Sequence, residues 1–132
     1  MHFASIRVIT EDVARLVEFY EKATGQAAKR STDDFAEIIT PAGTLAIAST
    51  RTVQGLGANA PRPAADQSVI IEFRVEDVDA EYENLRRFEV DFVTEPVTQP
   101  WGNRSLLFRD PDGNLVNFFA PATPDALKRY ER

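Results

Sequence analysis

The chain has no cysteine, a single histidine and a single tryptophan among its 132 residues. With no cysteine there is no disulfide, no thiol nucleophile and no thiolate metal site. Positive charge is also in short supply: 15 Lys and Arg stand against 21 Asp and Glu, for a net charge of −6. That balance disfavours nucleic acid and anionic membrane surfaces, which need clustered cations. No apolar run approaches the ~20 residues that a membrane-spanning helix requires. The first residues lack the layout of a signal peptide, so the expectation is a cytoplasmic protein. What is present is ordinary for a globule, 43% hydrophobic and 27% charged residues, and the length suits one domain with a real core.

The most informative stretch runs from Trp101 to Pro121. It enters through Asn103-Arg104-Ser105 and continues as the apolar run Leu106-Leu107-Phe108. It turns through Asp110-Pro111-Asp112-Gly113-Asn114 and returns as Leu115-Val116-Asn117-Phe118-Phe119. Pro111 presets one turn dihedral and Gly113 admits a positive φ, so two β-prone runs around this turn predict a hairpin.

Upstream, Phe3 to Ile9 alternates as a strand, and Asp12 is placed to cap a helix. Val13, Leu16, Val17 and Tyr20 form one apolar stripe of that helix, and Gly25 ends it. Phe35 to Ile39 and Leu45 to Ala48 flank Thr40-Pro41-Ala42-Gly43 as a second hairpin. Residues 51–67 gather Gly, Ala and Pro without periodicity, and read as a linker or a loop over a cavity. Val69 to Val75 is a further strand. A helix with the stripe Val78, Tyr82 and Leu85 follows, and Asp91 to Val97 is a short strand. Thr123-Pro124-Asp125 opens a short terminal helix.

The chain repeats itself. Glu11-Asp12-Val13 recurs as Glu76-Asp77-Val78, an offset of 65 (77 − 12), and Pro41-x-Gly43-x-Leu45 recurs as Pro111-x-Gly113-x-Leu115, an offset of 70 (113 − 43). The organisation expected is one domain of two modules, about 1–50 and 68–121, joined by residues 51–67 and followed by a helix over 123–131. Each half alone leaves one sheet face bare, so the halves must enclose a core together.

FRDPDGNLVNFF, with its matching first half, resembles the closing hairpin of the vicinal oxygen chelate superfamily. That superfamily holds glyoxalases, bleomycin resistance proteins and extradiol dioxygenases. The resemblance spans Phe3 to Pro121. It implies an α+β fold in which paired βαβββ modules form a cupped mixed sheet around a cleft, usually within a homodimer. It also implies where a divalent metal would be held, at Ser5 and Ile70 on the first strands and at Ile47 and Asn117 on the last. One hydroxyl, one amide and two hydrocarbons make no usual ligand set. One histidine, His2, beside the N-terminus, cannot supply the two imidazoles that many relatives use. No cofactor is expected, unless a divalent metal sits at a relocated site built on Glu37 and Glu72.

Strand alternation gives the lining of the implied cleft: Ser5, Arg7, Ile9, Glu37, Ile70, Glu72, Arg74, Ser105, Leu107, Asn117 and Phe119, with Trp101 and Asn103 near its mouth. Arg7 and Glu72 hold equivalent repeat positions, which makes them either a structural ion pair or a polar anchor for a ligand. Trp101 either packs beside Pro100 or stacks on a planar ligand. Asp110 and Asp112 are explained by the turn. The leading expectation is a metal-free protein that binds a small organic molecule, and the acidic charge suits a cationic one. The alternatives are a lyase, isomerase or dioxygenase with a relocated metal, and a metal-free enzyme with Glu72 or Glu37 as general base.

Overall fold

A computed structural model describes residues 1–131, which divide into two compact units, Met1–Asp66 and Gln67–Arg132. In unit one, β1 (Ile6–Thr10) leads through α1 (Val13–Thr24) to β2 (Lys29–Thr32), β3 (Phe35–Ile39) and β4 (Thr44–Ser49). The sheet order is β1-β4-β3-β2, with β1 parallel to β4 and the other pairs antiparallel. In unit two, β5 (Ile70–Arg74) leads through α2 (Val78–Leu85) to the short strands β6 (Asp91–Phe92) and β7 (Val97–Thr98). The hairpin of β8 (Asn103–Arg109) and β9 (Leu115–Pro121) completes the sheet, and α3 (Pro124–Arg129) ends the unit. β5 is parallel to β9, β9 pairs antiparallel with β8, and both short strands lie on the far side of β8. Each unit is thus a βαβββ module with a mixed sheet, the second unit having its second strand in two pieces.

The helix ends follow their sequence signals. Asp12, Asp77 and Thr123 are N-caps whose side chains accept from Arg15, Ala80 and Ala126 amides, and Gly25 closes α1 at φ 71°. α1 lies against β3 and β4 and α2 against β8 and β9. Leu16, Val17, Tyr20, Ile38 and Ile47 are fully buried in unit one. In unit two a run of edge-to-face rings, Phe73, Phe118, Phe108, Phe92 and Tyr82, fills the helix side of the sheet at centroid spacings of 5.7, 5.0, 6.4 and 5.0 Å. The Asp110 turn is held by its own carboxylate, which accepts from the amides of Asp112 and Asn114 and from Asn114 Nδ2 at 2.8–2.9 Å.

Several boundaries depart from the sequence reading. β1 starts at Ile6 rather than Phe3, because Ile6 is the first residue with a ladder partner, Leu45. β2, Lys-Arg-Ser-Thr, has no apolar pattern because all four residues are exposed on the sheet edge. The single strand expected over Asp91 to Val97 is two separate two-residue strands, Asp91–Phe92 and Val97–Thr98. Most of the expected linker is structured as well: Thr50–Asn59 forms 3₁₀ turns kinked at Gly57. Their start is tied down by Asp34, which accepts from Ser49 Oγ and Arg51 Nε, both at 2.7 Å. Val53 is buried with Ile9 and Ala48, against which Phe35 and Ala60 pack.

Two outcomes are expected. The Arg51 and Ser49 hydrogen bonds hold the Asp34 carboxyl below its ordinary value. A carboxyl lowered by folding contributes above the unfolded value, near about pH 4, and that contribution is lost as pH falls through the folded value. The exchange protection factor at Val53, corrected for the intrinsic rate, should therefore fall as pH drops through that window, and Asp34→Asn should show reduced protection already at neutral pH. Separately, Gly102 lies at φ 96°, and a Cβ there would collide with Thr123 Oγ1 and approach Ala126 Cβ to 3.0 Å. Gly102→Ala should lower stability by about 1–3 kcal/mol and strip exchange protection from the Leu127 amide in α3.

Candidate functional site

Pairing register decides what each sheet offers on the face away from its helix. In unit two, Glu72 is opposite Asn117 and Arg74 opposite Phe119, while Leu107 and Ser105 are opposite the same two β9 residues from the other side. One face therefore carries Ile70, Glu72, Arg74, Asn117, Phe119, Leu107, Ser105 and Asn103. The other carries Phe73, Val116, Phe118, Leu106 and Phe108 toward α2. Arg104, on the helix side, binds Asp79 of α2 through two nitrogens at 2.7 and 2.8 Å. That contact holds the Asp79 carboxyl below its usual range.

The open face of unit two has its own polar network. Asn117 Nδ2 donates to Glu72 Oε2 at 2.8 Å. Tyr130, the C-cap of α3, lies over the same face. Its hydroxyl accepts from Asn103 Nδ2 at 3.4 Å, its ring is 5.7 Å from that of Phe119, and the Arg74 guanidinium sits 5.0 Å from its centroid. Asn103 and Asn117 are each 8% exposed, and Oδ1 of each is buried without a hydrogen-bond partner. Buried carbonyl oxygens are rarely left that way, and each such orphan costs about 1–3 kcal/mol.

In unit one the corresponding row across the sheet is Arg7, Ala46, Glu37 and Lys29. Arg7 and Ser5 are exposed and Glu37 is half-buried. Arg7 stands opposite Ala46 as Glu72 stands opposite Asn117, so the two units agree on those positions. Two expectations need correcting here. Ile47 is on the opposite face, fully buried on the α1 side; the register partner of Arg7 is Ala46, one residue earlier. Ile9 does not line an open surface, because Val53 of the 3₁₀ segment covers it. Trp101 is 57% exposed, and its carbonyl accepts from Arg129 at 2.6 Å. His2 is exposed, and the Asp110 carboxylate is engaged by its turn.

Tyr130 was not foreseen as a site residue, since nothing within α3 signals a contact with Phe119 and Arg74. The second feature missed is a groove of about 380 Å³ on the helix side of unit two, between α2 and β7, lined by Asp79, Tyr82, Glu83, Arg86, Glu95, Pro96 and Arg104. Its charged groups are largely spent on one another, in the Asp79–Arg104 and Glu83–Arg86 pairs.

Among the described residues no three His, Cys, Asp or Glu side chains come together as a metal group. The positions at which the resemblance places the family metal carry Ser5, Ile70, Asn117 and, once register is applied, Ala46. A hydroxyl, an amide and two hydrocarbons do not fit a divalent cation, which wants charged oxygens or imidazoles.

Known proteins resemble this chain along nearly its whole length. Over 125 residues it is 26% identical to the uncharacterized protein YraH of Bacillus subtilis (strain 168), covering 90% of this chain and 98% of that one. A glyoxalase/bleomycin resistance protein/dioxygenase structure from Nocardioides aligns with a TM-score of 0.76 at 25% identity, over 94% of this chain and 85% of that one. The lactoylglutathione lyase structure from Agrobacterium tumefaciens shares the fold, with a TM-score of 0.70 at 19% identity, over 90% of this chain and 92% of the other. The sequence profile of one family matches residues 2–118, and that match agrees with the two βαβββ units: the chain belongs to the Glyoxalase/Bleomycin resistance protein/Dioxygenase superfamily.

Proposed function

We propose that this protein binds a small organic molecule without using the metal typical of its superfamily, and that it works as a cytoplasmic homodimer. The observation that carries the reading is the character of the open face of unit two. It is an apolar and aromatic surface, Leu107, Phe119 and Tyr130, that holds two buried asparagines with unpartnered carbonyl oxygens. An apolar surface with a few fixed polar groups is what small-molecule sites are built from. Unspent buried acceptors are the feature that a bound ligand would complete. At a position where the resemblance implies a metal ligand, this chain has Asn117, a neutral side chain bonded to a carboxylate.

The membrane is not part of this reading, since among the described residues no helix is long and apolar enough to cross one. In this reading Glu72 serves as a hydrogen-bonding anchor: Oε2 accepts from Asn117, and the carboxylate keeps acceptor capacity for a ligand.

Two measurements test this. Elemental analysis of protein purified without chelator should find substoichiometric zinc, nickel, manganese and iron. One metal per chain would instead support an enzyme with a relocated centre. The second measurement separates function from stability. Asn117→Leu removes an orphan acceptor while Glu72, which is exposed, returns to water, so urea unfolding should shift by no more than about 1 kcal/mol. In a fragment screen by ligand-observed NMR, hits on the parent protein should be lost in this variant. Retention of every hit would place binding elsewhere.

A further inference from the structure

The chemical class of the ligand can be read from the unspent groups, and this inference rests on the small-molecule reading above. Only the nitrogen of the Asn117 amide can donate to the Glu72 carboxylate, so the 2.8 Å bond fixes which way the amide points. Its Oδ1 is thereby left as the orphan, buried in a residue 8% exposed. The remaining capacity at this point is therefore for accepting hydrogen bonds: one amide oxygen and the carboxylate beside it. Among the described residues of its unit Glu72 forms no ion pair. Arg74, two residues along β5 on the same face, has its guanidinium over the Tyr130 ring at 5.0 Å. Next to these acceptors stand the Phe119 and Tyr130 rings, tilted at 48° with centroids 5.7 Å apart.

We propose that the open face of unit two recognises an organic ammonium or amidinium group carried on an apolar or aryl body. Its N–H groups donate to Glu72 and to Asn117 Oδ1, and its body packs against Phe119 and Tyr130. A cation is the ligand head that satisfies both acceptors at once, since charge-assisted N–H donors bond carboxylates and amide oxygens alike. The Phe119 ring favours positive charge as well, while the Tyr130 ring is already engaged by Arg74. A carboxylate ligand would meet Glu72 as a like charge and find no donor at Asn117 Oδ1. The net charge of −6 adds a long-range attraction of the same sign preference.

The test uses the full chain and three probes that share one aryl-alkyl body: phenethylamine, phenethyl alcohol and hydrocinnamate. Affinity is measured by calorimetry and by the emission of Trp101, the sole tryptophan. The amine should bind roughly tenfold tighter than the alcohol, the worth of one charge-assisted hydrogen bond, and should weaken with added salt. Hydrocinnamate should not bind. Glu72→Gln, at an exposed position, should keep the fold by circular dichroism and erase the preference for amine over alcohol. Asn117→Leu should weaken the amine on a folded background.

Equal or tighter binding of hydrocinnamate, or unchanged amine affinity in Glu72→Gln, overturns the ammonium assignment. In either case binding of any probe leaves the small-molecule reading standing. Absence of binding by all three probes, while the fragment screen still yields hits lost in Asn117→Leu, overturns the ammonium assignment alone. Absence of both sinks the two together.

Discussion

Parallel pairing of the first and last strand in each unit is the constraint on which everything else depends. β1 lies against β4 and β5 against β9, each in a fixed register. Because side chains alternate along a strand, that register sorts every residue to the helix side or the open side, and a slip of one residue would exchange the two sets. The helix sides are strongly determined. In unit one Ile38 and Ile47 are sealed with Leu16, Val17 and Tyr20, and in unit two Phe108 and Phe118 stack with Phe73 and Phe92. Burying a Phe or Ile side chain is worth about 1.5–3 kcal/mol, so a slipped register would expose several at once. The open sides inherit their composition from this packing.

That inheritance explains how unit two can keep buried polar groups that are only partly satisfied. Asn103 and Asn117 each leave a carbonyl oxygen buried and unpartnered, at a cost that a leucine in either place would avoid. Such violations of local economy are tolerated where the surrounding frame is over-determined, and they gather at functional positions. Tyr130 belongs to the same frame. Thr123 caps α3, Pro124 starts it, and Gly102 allows the close approach of the helix, which together bring the ring to Phe119 and Arg74.

Much of this was legible in the sequence. The caps Asp12, Asp77 and Thr123, the stop at Gly25 and the Asp110–Asn114 turn carry their chemistry within a few residues, and the structure has each of them where that chemistry requires. The repeat marked two strand–helix–strand halves, and the family resemblance implied that each is a βαβββ module. What escaped lacks a local signal. β2 is polar on both faces, and the 3₁₀ turns over Thr50–Asn59 bury only Val53. The Ile47 position failed for an instructive reason. The turn glycines repeat at 70, but the β8–β9 connection between Arg109 and Leu115 is one residue longer than that between Ile39 and Thr44. The paired strands therefore correspond at 71 (117 − 46), which replaces Ile47 by Ala46. A single turn residue moved the inferred position to the wrong face. The bond between Glu72 and Asn117 was hidden too, since parallel partners far apart in sequence are found only when the register is known.

The central claim is that Asn117, at a position where the family resemblance implies a metal ligand, is an amide bonded to a neighbouring carboxylate. The most direct measurement is an NMR titration of the protein with paramagnetic Mn²⁺, following the side-chain NH₂ of Asn117. The account predicts that the Asn117 NH₂ signals, held by the bond to Glu72, persist with no selective broadening as the ion is added. Selective loss of the Asn117, Ser5 and Ile70 signals at one equivalent of Mn²⁺ would contradict it.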